Sequence, residues 1–143
     1  MEKIAVIYWS GTGNTESMAV AIARGVESSG IKADIFTVSE FGCKSLNDYS
    51  KLAFGCPSMG AEVLEESEFE PFFSQAEHDL VGKKIALFGS YGWGDGEWMR
   101  DWEARVKNNG AVLYGDEGLI INLAPDGDGI KQCEEFGAGF ASF

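Results

Sequence analysis

The chain has 143 residues, of which 45% are hydrophobic, and 23 Asp and Glu against 11 Lys and Arg give it a net charge of -12. This charge is wrong for a nucleic-acid surface, and no run approaches the roughly 18 apolar residues that span a membrane. With no linker-like stretch and no signal-peptide layout at its start, the chain is expected to be a single cytoplasmic domain over residues 1–143, without nucleic-acid or membrane partners.

Strand-like and helix-like segments alternate along the chain, which predicts an α/β fold: a doubly wound, five-stranded parallel sheet with helices on both faces. Short runs rich in apolar and β-branched residues predict strands at 3–8, 33–38, 51–56 and 83–90, and a last strand within 111–122 that GDEG interrupts.

Helices are predicted between these strands from apolar residues spaced at i, i+4 and i+8. The first follows residue 15 and ends near Gly30, and another carries Trp98, Trp102 and Val106 on one face. A short helix is expected around Phe72 and Phe73. A closing helix over 130–143 is expected to be weakened by its glycines, Gly137 and Gly139.

Three glycine-bearing loops begin where strands end: the first loop SGTGNT (10–15), the second loop PSMGAE (57–62) and the third loop SYGWGDGEW (90–98). In an open parallel sheet, ligands bind outside the carboxyl ends of the strands, so these loops are predicted to converge on one site.

The first loop combines two glycines with hydroxyl and amide side chains directly before a helix. Such a turn can hold a phosphate on backbone N–H groups and the helix N-terminus. Since no Lys or Arg lies between Lys3 and Arg24, the phosphate would have no countercharge. The P-loop is excluded because its GK[ST] ending is missing, and the dinucleotide fingerprint fails because Glu16 replaces its third glycine. An ordinary turn rich in small residues remains the alternative.

The other loops suggest a flat ligand. Trp93 lies between glycines and outside any apolar periodicity, so it is expected to be exposed and available for stacking, whereas Trp98 and Trp102 are expected in the core. In the second loop Gly60 can adopt positive φ, and Glu62 presents a carboxylate to whatever the loop covers.

The sequence contains no motif for catalysis by cysteine or histidine or for metal binding. Cys43, Cys56 and Cys133 are expected to be reduced and mostly packed, and they form no Cys-x-x-Cys motif. His78 is expected at the surface, no G-x-S-x-G elbow is present, and no metal site is predicted.

Acidic residues cluster in two groups, while Lys and Arg are absent between Lys51 and Lys83. The members are Glu62, Glu65, Glu66, Glu68 and Glu70 in the first group and Asp95, Glu97, Asp101 and Glu103 in the second. They predict either a docking surface for a basic partner or a solvated face that keeps the protein soluble.

The three loops, in this order, resemble those of the flavodoxins of the short, clostridial type, and the similarity extends over essentially the whole chain. The resemblance implies strand order 2-1-3-4-5, one non-covalently bound FMN, and service as a soluble, monomeric, low-potential one-electron carrier rather than an enzyme. With such a cofactor, the acidic groups and the uncompensated phosphate would disfavour the second electron, so low-potential cycling mainly between flavin semiquinone and hydroquinone is expected. The net charge of -12 predicts partners with basic docking surfaces, such as reductases and low-potential oxidoreductases.

The resemblance also implies site residues. Ser10, Thr12, Asn14, Thr15 and Ser90 would contact the phosphate, Met59 and Trp93 would flank the ring, and Glu62 would accept the ring N3–H. Gly60 would be a redox switch whose carbonyl turns toward flavin N5. The full set expected to bind FMN is Ser10, Gly11, Thr12, Gly13, Asn14, Thr15, Ser58, Met59, Gly60, Ala61, Glu62, Ser90, Tyr91, Gly92, Trp93 and Gly94.

Two other functions share the predicted fold. An FMN-dependent reductase would need a substrate pocket, and no long insertion is present to build one. A receiver-type signalling module would need clustered aspartates at the strand ends, where this chain has Ser, Met, Gly and Trp.

Overall fold

A parallel sheet forms the centre of the computed structural model, which describes residues 2–42 and 44–143. Its strands are β1 (Lys3–Tyr8), β2 (Lys32–Thr37), β3 (Lys51–Gly55), β4 (Lys84–Tyr91), β5 (Val112–Leu113) and β6 (Leu119–Asn122). The strand order is β2-β1-β3-β4-β5, and β6 also pairs with β4. The predicted doubly wound fold and its strand order are confirmed. β5 and β6 are the two parts of the predicted last strand, separated by residues 114–118.

Helices cover both faces of the sheet. They are α1 (Asn14–Ser28), α2 (Val38–Phe41), α3 (Phe69–Ala76), α4 (Glu97–Asn108) and α5 (Gly127–Ala141). The short helix α2 has no counterpart among the predicted elements: its signal was the Thr37/Glu40 capping box, in which Thr37 Oγ1 accepts the N–H of Glu40.

Two apolar clusters form the core, one on each side of the sheet. One packs α2, α3 and α4 against the strands and includes Trp98 and Trp102, each 1% exposed, as predicted. The other lies under α1 and α5 and includes Cys133. None of the described helices has the length and apolar character needed to cross a membrane.

The glycines of the closing helix have a packing role that the sequence did not indicate. A Cβ on Gly137 would lie 2.0 Å from the Ile22 carbonyl oxygen, and one on Gly25 would lie 1.9 Å from that of Glu134. Because neither residue has a side chain, α1 and α5 can pack backbone to backbone. The expectation that Gly137 only weakens α5 is therefore incomplete.

Lys51 anchors the end of α5 to the sheet. Its side chain is buried at the start of β3, and its ammonium group donates hydrogen bonds to the carbonyl oxygens of Phe140 (3.1 Å) and Ala141 (2.8 Å). A cation at a helix C-terminus satisfies carbonyls that have no partner within the helix.

Candidate functional site

The three glycine-bearing loops leave the sheet at the same edge. Hydrogen bonds continue beyond the strand pairs: Trp9 N–H donates to Gly55 O, Cys56 N–H to Phe88 O, and Ser58 N–H to Ser90 O, all at 3.0–3.1 Å. The sheet therefore fixes where each loop begins.

A cavity of about 290 Å³ lies between these loops. The predicted residues that line it are Ser10, Gly11, Thr12, Asn14, Thr15, Ser58, Met59, Ser90, Tyr91 and Gly92. Among the described residues it is also lined by three that were not predicted, Trp9, Pro57 and Leu123. The other predicted residues, Gly13, Gly60, Ala61, Glu62, Trp93 and Gly94, lie in the same loops but outside this lining.

The first loop forms an anion cradle at the start of α1. Gly13 adopts φ 97°, and the hydroxyl oxygen of Ser10 accepts the N–H groups of Gly13 (3.1 Å) and Glu16 (3.3 Å). Within residues 2–42 and 44–143, the N–H groups of Thr12, Asn14 and Thr15 have no protein acceptor. Such N–H groups at the start of a long helix fit an anionic group such as a phosphate.

Thr15 connects the first loop to β4. Its side chain is 1% exposed, and Thr15 Oγ1 lies 2.9 Å from Ser90 Oγ and accepts the Ser90 N–H at 3.4 Å. If Ser90 Oγ–H donates to Thr15, the hydroxyl proton of Thr15 is free for a ligand in the cavity.

Trp9 forms the wall next to the first loop. Its indole Nε1–H donates to Glu68 Oε1 at 3.1 Å, and a Cβ on Gly11 would lie 3.1 Å from its ring. Trp9 directly precedes the first loop, and that position was the signal available in the sequence.

A fourth loop, after β6, adds Leu123 to the cavity. Leu123 has φ 60° and is 57% exposed, while its N–H donates to Tyr91 O at 2.8 Å. Tyr91 is half-buried against Trp98, with ring centroids 5.6 Å apart. The sequence carried no signal for Leu123, because its place depends on the pairing of β6 with β4.

The second and third loops meet beside the cavity through Glu62. The Glu62 carboxylate accepts the Glu97 N–H at 2.9 Å, and a Cβ on Gly94 would lie 2.5 Å from its carboxyl carbon. Gly60 has φ 52° with open space around it, and Trp93 is 65% exposed. The predictions of positive φ at Gly60 and of exposure at Trp93 agree with this geometry.

Most of the clustered acidic residues form specific contacts. Glu70 pairs with Arg105 at 2.7 Å, Asp95 with Arg100 at 2.8 Å, and Glu103 accepts the N–H of Gly118 at 2.7 Å. Glu65 is buried. The picture of a uniformly solvated acidic face is therefore incomplete, although Glu66, Glu97 and Asp101 are exposed.

The remaining expectations concern cysteines, His78 and metals. Cys56 and Cys133 are buried free thiols, burial raises the pKa of the Cys133 thiol to about 11, and Cys43 lies outside the described residues. His78 is exposed, as predicted. In the part of the chain that the structure describes, no three His, Cys, Asp or Glu side chains are grouped to hold a metal ion.

Comparison with known proteins gives the family. A sequence model described as Flavodoxin matches residues 6–137. The chain belongs to the flavodoxin family. It is 48% identical to the flavodoxin of Clostridium beijerinckii over 137 residues, covering 96% of this chain and 98% of that protein. It is 41% identical to the flavodoxin of Megasphaera elsdenii over 138 residues, covering 96% and 98%.

Solved structures agree with this membership. The chain resembles the solution structure of two-electron-reduced Megasphaera elsdenii flavodoxin with a TM-score of 0.88 and 40% identity, over 98% of this chain and 99% of that one. It resembles a flavodoxin from the domain Archaea with the same TM-score and 25% identity, over 98% and 96%. Flavodoxins bind FMN and carry electrons rather than act as enzymes, so the expected cofactor and role are confirmed for the family to which the chain belongs.

Proposed function

We propose that this chain is a low-potential one-electron carrier that holds FMN in the cavity between its loops and exchanges electrons with other redox proteins. The observation that carries the proposal is the anion cradle of the first loop, which opens into a cavity at the carboxyl ends of the strands. A phosphate fits the cradle, and the cavity extends from it toward Met59 and Tyr91.

The phosphate would be held by neutral donors alone. We assign Ser10, Thr12 and Thr15 to it through hydroxyl groups, and Asn14 through its amide and backbone N–H. Since Ser10 Oγ accepts the N–H groups of Gly13 and Glu16, its own hydrogen is free to donate to a phosphate oxygen. Ser90 would act through Thr15, because its Oγ lies against Thr15 Oγ1.

The ring would lie between the second and third loops. Met59 lines the cavity and Trp93 is largely exposed, so Trp93 can close over the ring from the solvent side. Glu62 would accept a ring N–H, and the peptide at Gly60 would turn its carbonyl toward the ring. Ser58, Ala61, Gly92 and Gly94, together with Gly11 and Gly13, would shape the loops around the cofactor.

When bound, FMN supplies electron transfer in one-electron steps, and we propose that this chain uses mainly the step between the singly and fully reduced forms. The surrounding protein disfavours this step, because the second electron adds a negative charge to the ring. The cavity lining contains no Lys or Arg, and the carboxylate of Glu62 lies in the loop beside it. Each unit charge at about 10 Å in an effective dielectric of about 40 contributes about 0.8 kcal/mol.

We further propose that partners dock at the cavity mouth through basic surfaces and that the chain works as a cytoplasmic monomer with a single domain. The exposed carboxylates of Glu66, Glu97 and Asp101 would attract such partners. Association rates should fall steeply with ionic strength. A rate independent of salt would contradict docking by charge.

An absorption spectrum of the purified protein, followed by titration of the cofactor-free protein with FMN and riboflavin, tests the proposal. We expect a yellow protein that binds FMN more tightly than riboflavin, because only FMN engages the cradle. A colourless protein that takes up neither compound would overturn the proposal, and equal affinities would overturn the role of the cradle.

A further inference from the structure

The base of the second loop is closed by a pair of backbone hydrogen bonds. Met59 N–H donates to Val63 O at 2.8 Å, and Val63 N–H donates to Met59 O at 2.9 Å. Between them lie residues 60–62, in which Gly60 and Glu62 have φ values of 52° and 55°. Residues 60–62 form the tip of the loop and can therefore change conformation without movement of the base, provided that other contacts hold the base in place.

Glu65 ties the end of this loop to helix α3. Its carboxylate accepts the N–H groups of Ser67 (2.9 Å), Glu68 (2.8 Å) and Phe69 (2.8 Å), and also the Ser67 hydroxyl. Glu65 is only 6% exposed. Burial opposes ionisation of this group, yet the hydrogen bonds prevail and lower its pKa.

Cys56 ties the same loop to the sheet. Its thiol is fully buried at the end of β3 and accepts the Glu65 N–H, with Sγ and N 3.3 Å apart. The Cys56 N–H donates to Phe88 O at 3.1 Å, and its carbonyl accepts the Trp98 indole N–H at 3.1 Å. Glu65 is thus joined to the sheet by its backbone and to α3 by its side chain.

We infer that Glu65 and Cys56 are positioning residues that hold the base of the second loop fixed, so that only residues 60–62 rearrange against the bound cofactor. This inference rests on the proposed function, since the rearrangement matters only if the ring lies beside Gly60. With a loose base the loop would relax as a whole, and a new hydrogen bond from the tip would be weaker.

Hydrogen exchange in the cofactor-free protein tests the base directly. In Glu65→Gln the amide cannot accept on both of its terminal atoms, so one or more of the N–H groups loses its acceptor. We expect the Met59 and Val63 amides to exchange at least tenfold faster than in the wild type. Glu66→Gln, which removes an equal charge from the exposed neighbouring residue, should leave both rates unchanged.

A second pair of variants tests the inference in case Glu65→Gln does not fold. Cys56→Ala removes the sulfur that accepts the Glu65 N–H and donates to the Pro57 carbonyl, and Cys133→Ala removes a buried thiol from the other apolar cluster. We expect faster exchange at Met59 and Val63 in Cys56→Ala only. Equal protection in both cysteine variants would overturn the inference.

The gap between the two one-electron potentials of the FMN-bound protein is the readout that a purely structural role would not change. In Glu65→Gln and Cys56→Ala we expect it to narrow by about 59 mV, a tenfold change in the equilibrium constant. In Glu66→Gln the loss of one exposed charge should raise only the second potential and narrow the gap by less than in Glu65→Gln, and in Cys133→Ala neither potential should shift. If the gap changed equally in Glu65→Gln and Glu66→Gln, the effect of Glu65 would come from its charge alone, and the inference would be overturned.

Failure of the proposed function would look different. If the wild type bound no FMN, the electron-carrier proposal would fall, whereas hydrogen exchange in the cofactor-free protein would still report whether Glu65 and Cys56 hold the loop.

Discussion

The Glu62 carboxylate accepts the backbone N–H of Glu97 at 2.9 Å and so joins the second loop to the first turn of α4. Gly94 makes this approach possible, since any side chain there would overlap the carboxylate. The two loops expected to flank the ring are therefore connected to each other by the same group that is expected to accept a hydrogen bond from the ring.

Replacing Glu62 by Gln should make the second one-electron potential more positive by about 35 mV, because one negative charge near the ring is removed. A redox titration of the FMN-bound protein measures this shift. Glu62→Asp keeps the charge but shortens the reach to Glu97, so it should leave the potential nearly unchanged and weaken FMN binding. An unaltered potential in Glu62→Gln would contradict the placement of the carboxylate beside the ring.

The Gly60→Ala variant should fold and yet show a smaller gap between the two potentials, by about 59 mV or a tenfold change in the equilibrium constant. Space around Gly60 is open, but a Cβ at φ 52° costs about 1–2 kcal/mol and hinders rotation of the peptide. Gly82→Ala is the matched control, since Gly82 also has positive φ, 76°, and open surroundings. The switch proposal fails if both variants keep the wild-type gap.

Loss of the buried hydroxyl in Thr15→Val should weaken FMN binding by about tenfold to a hundredfold, because a donor to the phosphate disappears and Ser90 loses its partner. Riboflavin binding should change much less, since riboflavin has no phosphate. Fluorescence titration with both compounds separates the two effects. Thr37→Val makes the same replacement at the cap of α2 and should not alter either affinity; equal losses for FMN and riboflavin would argue against phosphate contact.

Arg105→Met should destabilise the protein by about 2–3 kcal/mol at pH 7, measured by urea unfolding. Arg105 donates hydrogen bonds to Glu70 in α3 and to Glu77 in the turn after it. These hydrogen bonds join both elements to α4. Arg24→Met, which breaks one exposed ion pair with Glu134, should change stability by less than about 0.5 kcal/mol.

The loss of stability in Arg105→Met should also depend on pH. Hydrogen bonds from Arg105 hold the pKa values of Glu70 and Glu77 below their usual 4.5. Because the folded-state pKa values are depressed, the stabilisation is complete above the unfolded value and is lost as the pH falls through the folded values. The difference between wild type and Arg105→Met should therefore be constant near neutrality and shrink below about pH 4.5. A difference that grows on acidification would contradict these ion pairs.

Gly137→Ala should destabilise the protein by about 1–3 kcal/mol although alanine favours helices, because its Cβ would overlap the Ile22 backbone and push α5 from α1. Thermal unfolding measures the loss. Gly127→Ala in the first turn of the same helix meets nothing within 4 Å and should be neutral or slightly stabilising. The same small effect in both variants would mean that α1 and α5 do not pack backbone to backbone.

The fold and the convergence of the loops could be predicted because both depend on local patterns. Apolar runs marked the strands, and each loop stood where such a run ended, so the topology of a parallel sheet brought the loops to one edge. Trp93 and Trp98 could be distinguished for the same reason, since only Trp98 has helical spacing. Leu123 could not be predicted, because it reaches the cavity only through the pairing of β6 with β4.

What the sequence determined by itself is the set of local conformations: where strands and helices form, where glycine permits a turn, and where a helix start can receive an anion. Only the tertiary structure decided which environment each of two identical side chains occupies. Glu65 and Glu66 are adjacent and chemically equal, yet one is buried against three N–H groups at the start of α3 and the other is exposed. These three hydrogen bonds are local, but the burial of Glu65 is not: it depends on the Cys56 sulfur at the end of β3, which accepts the Glu65 N–H. The physical reason is that burial depends on groups brought near by folding, which no local pattern of residues specifies.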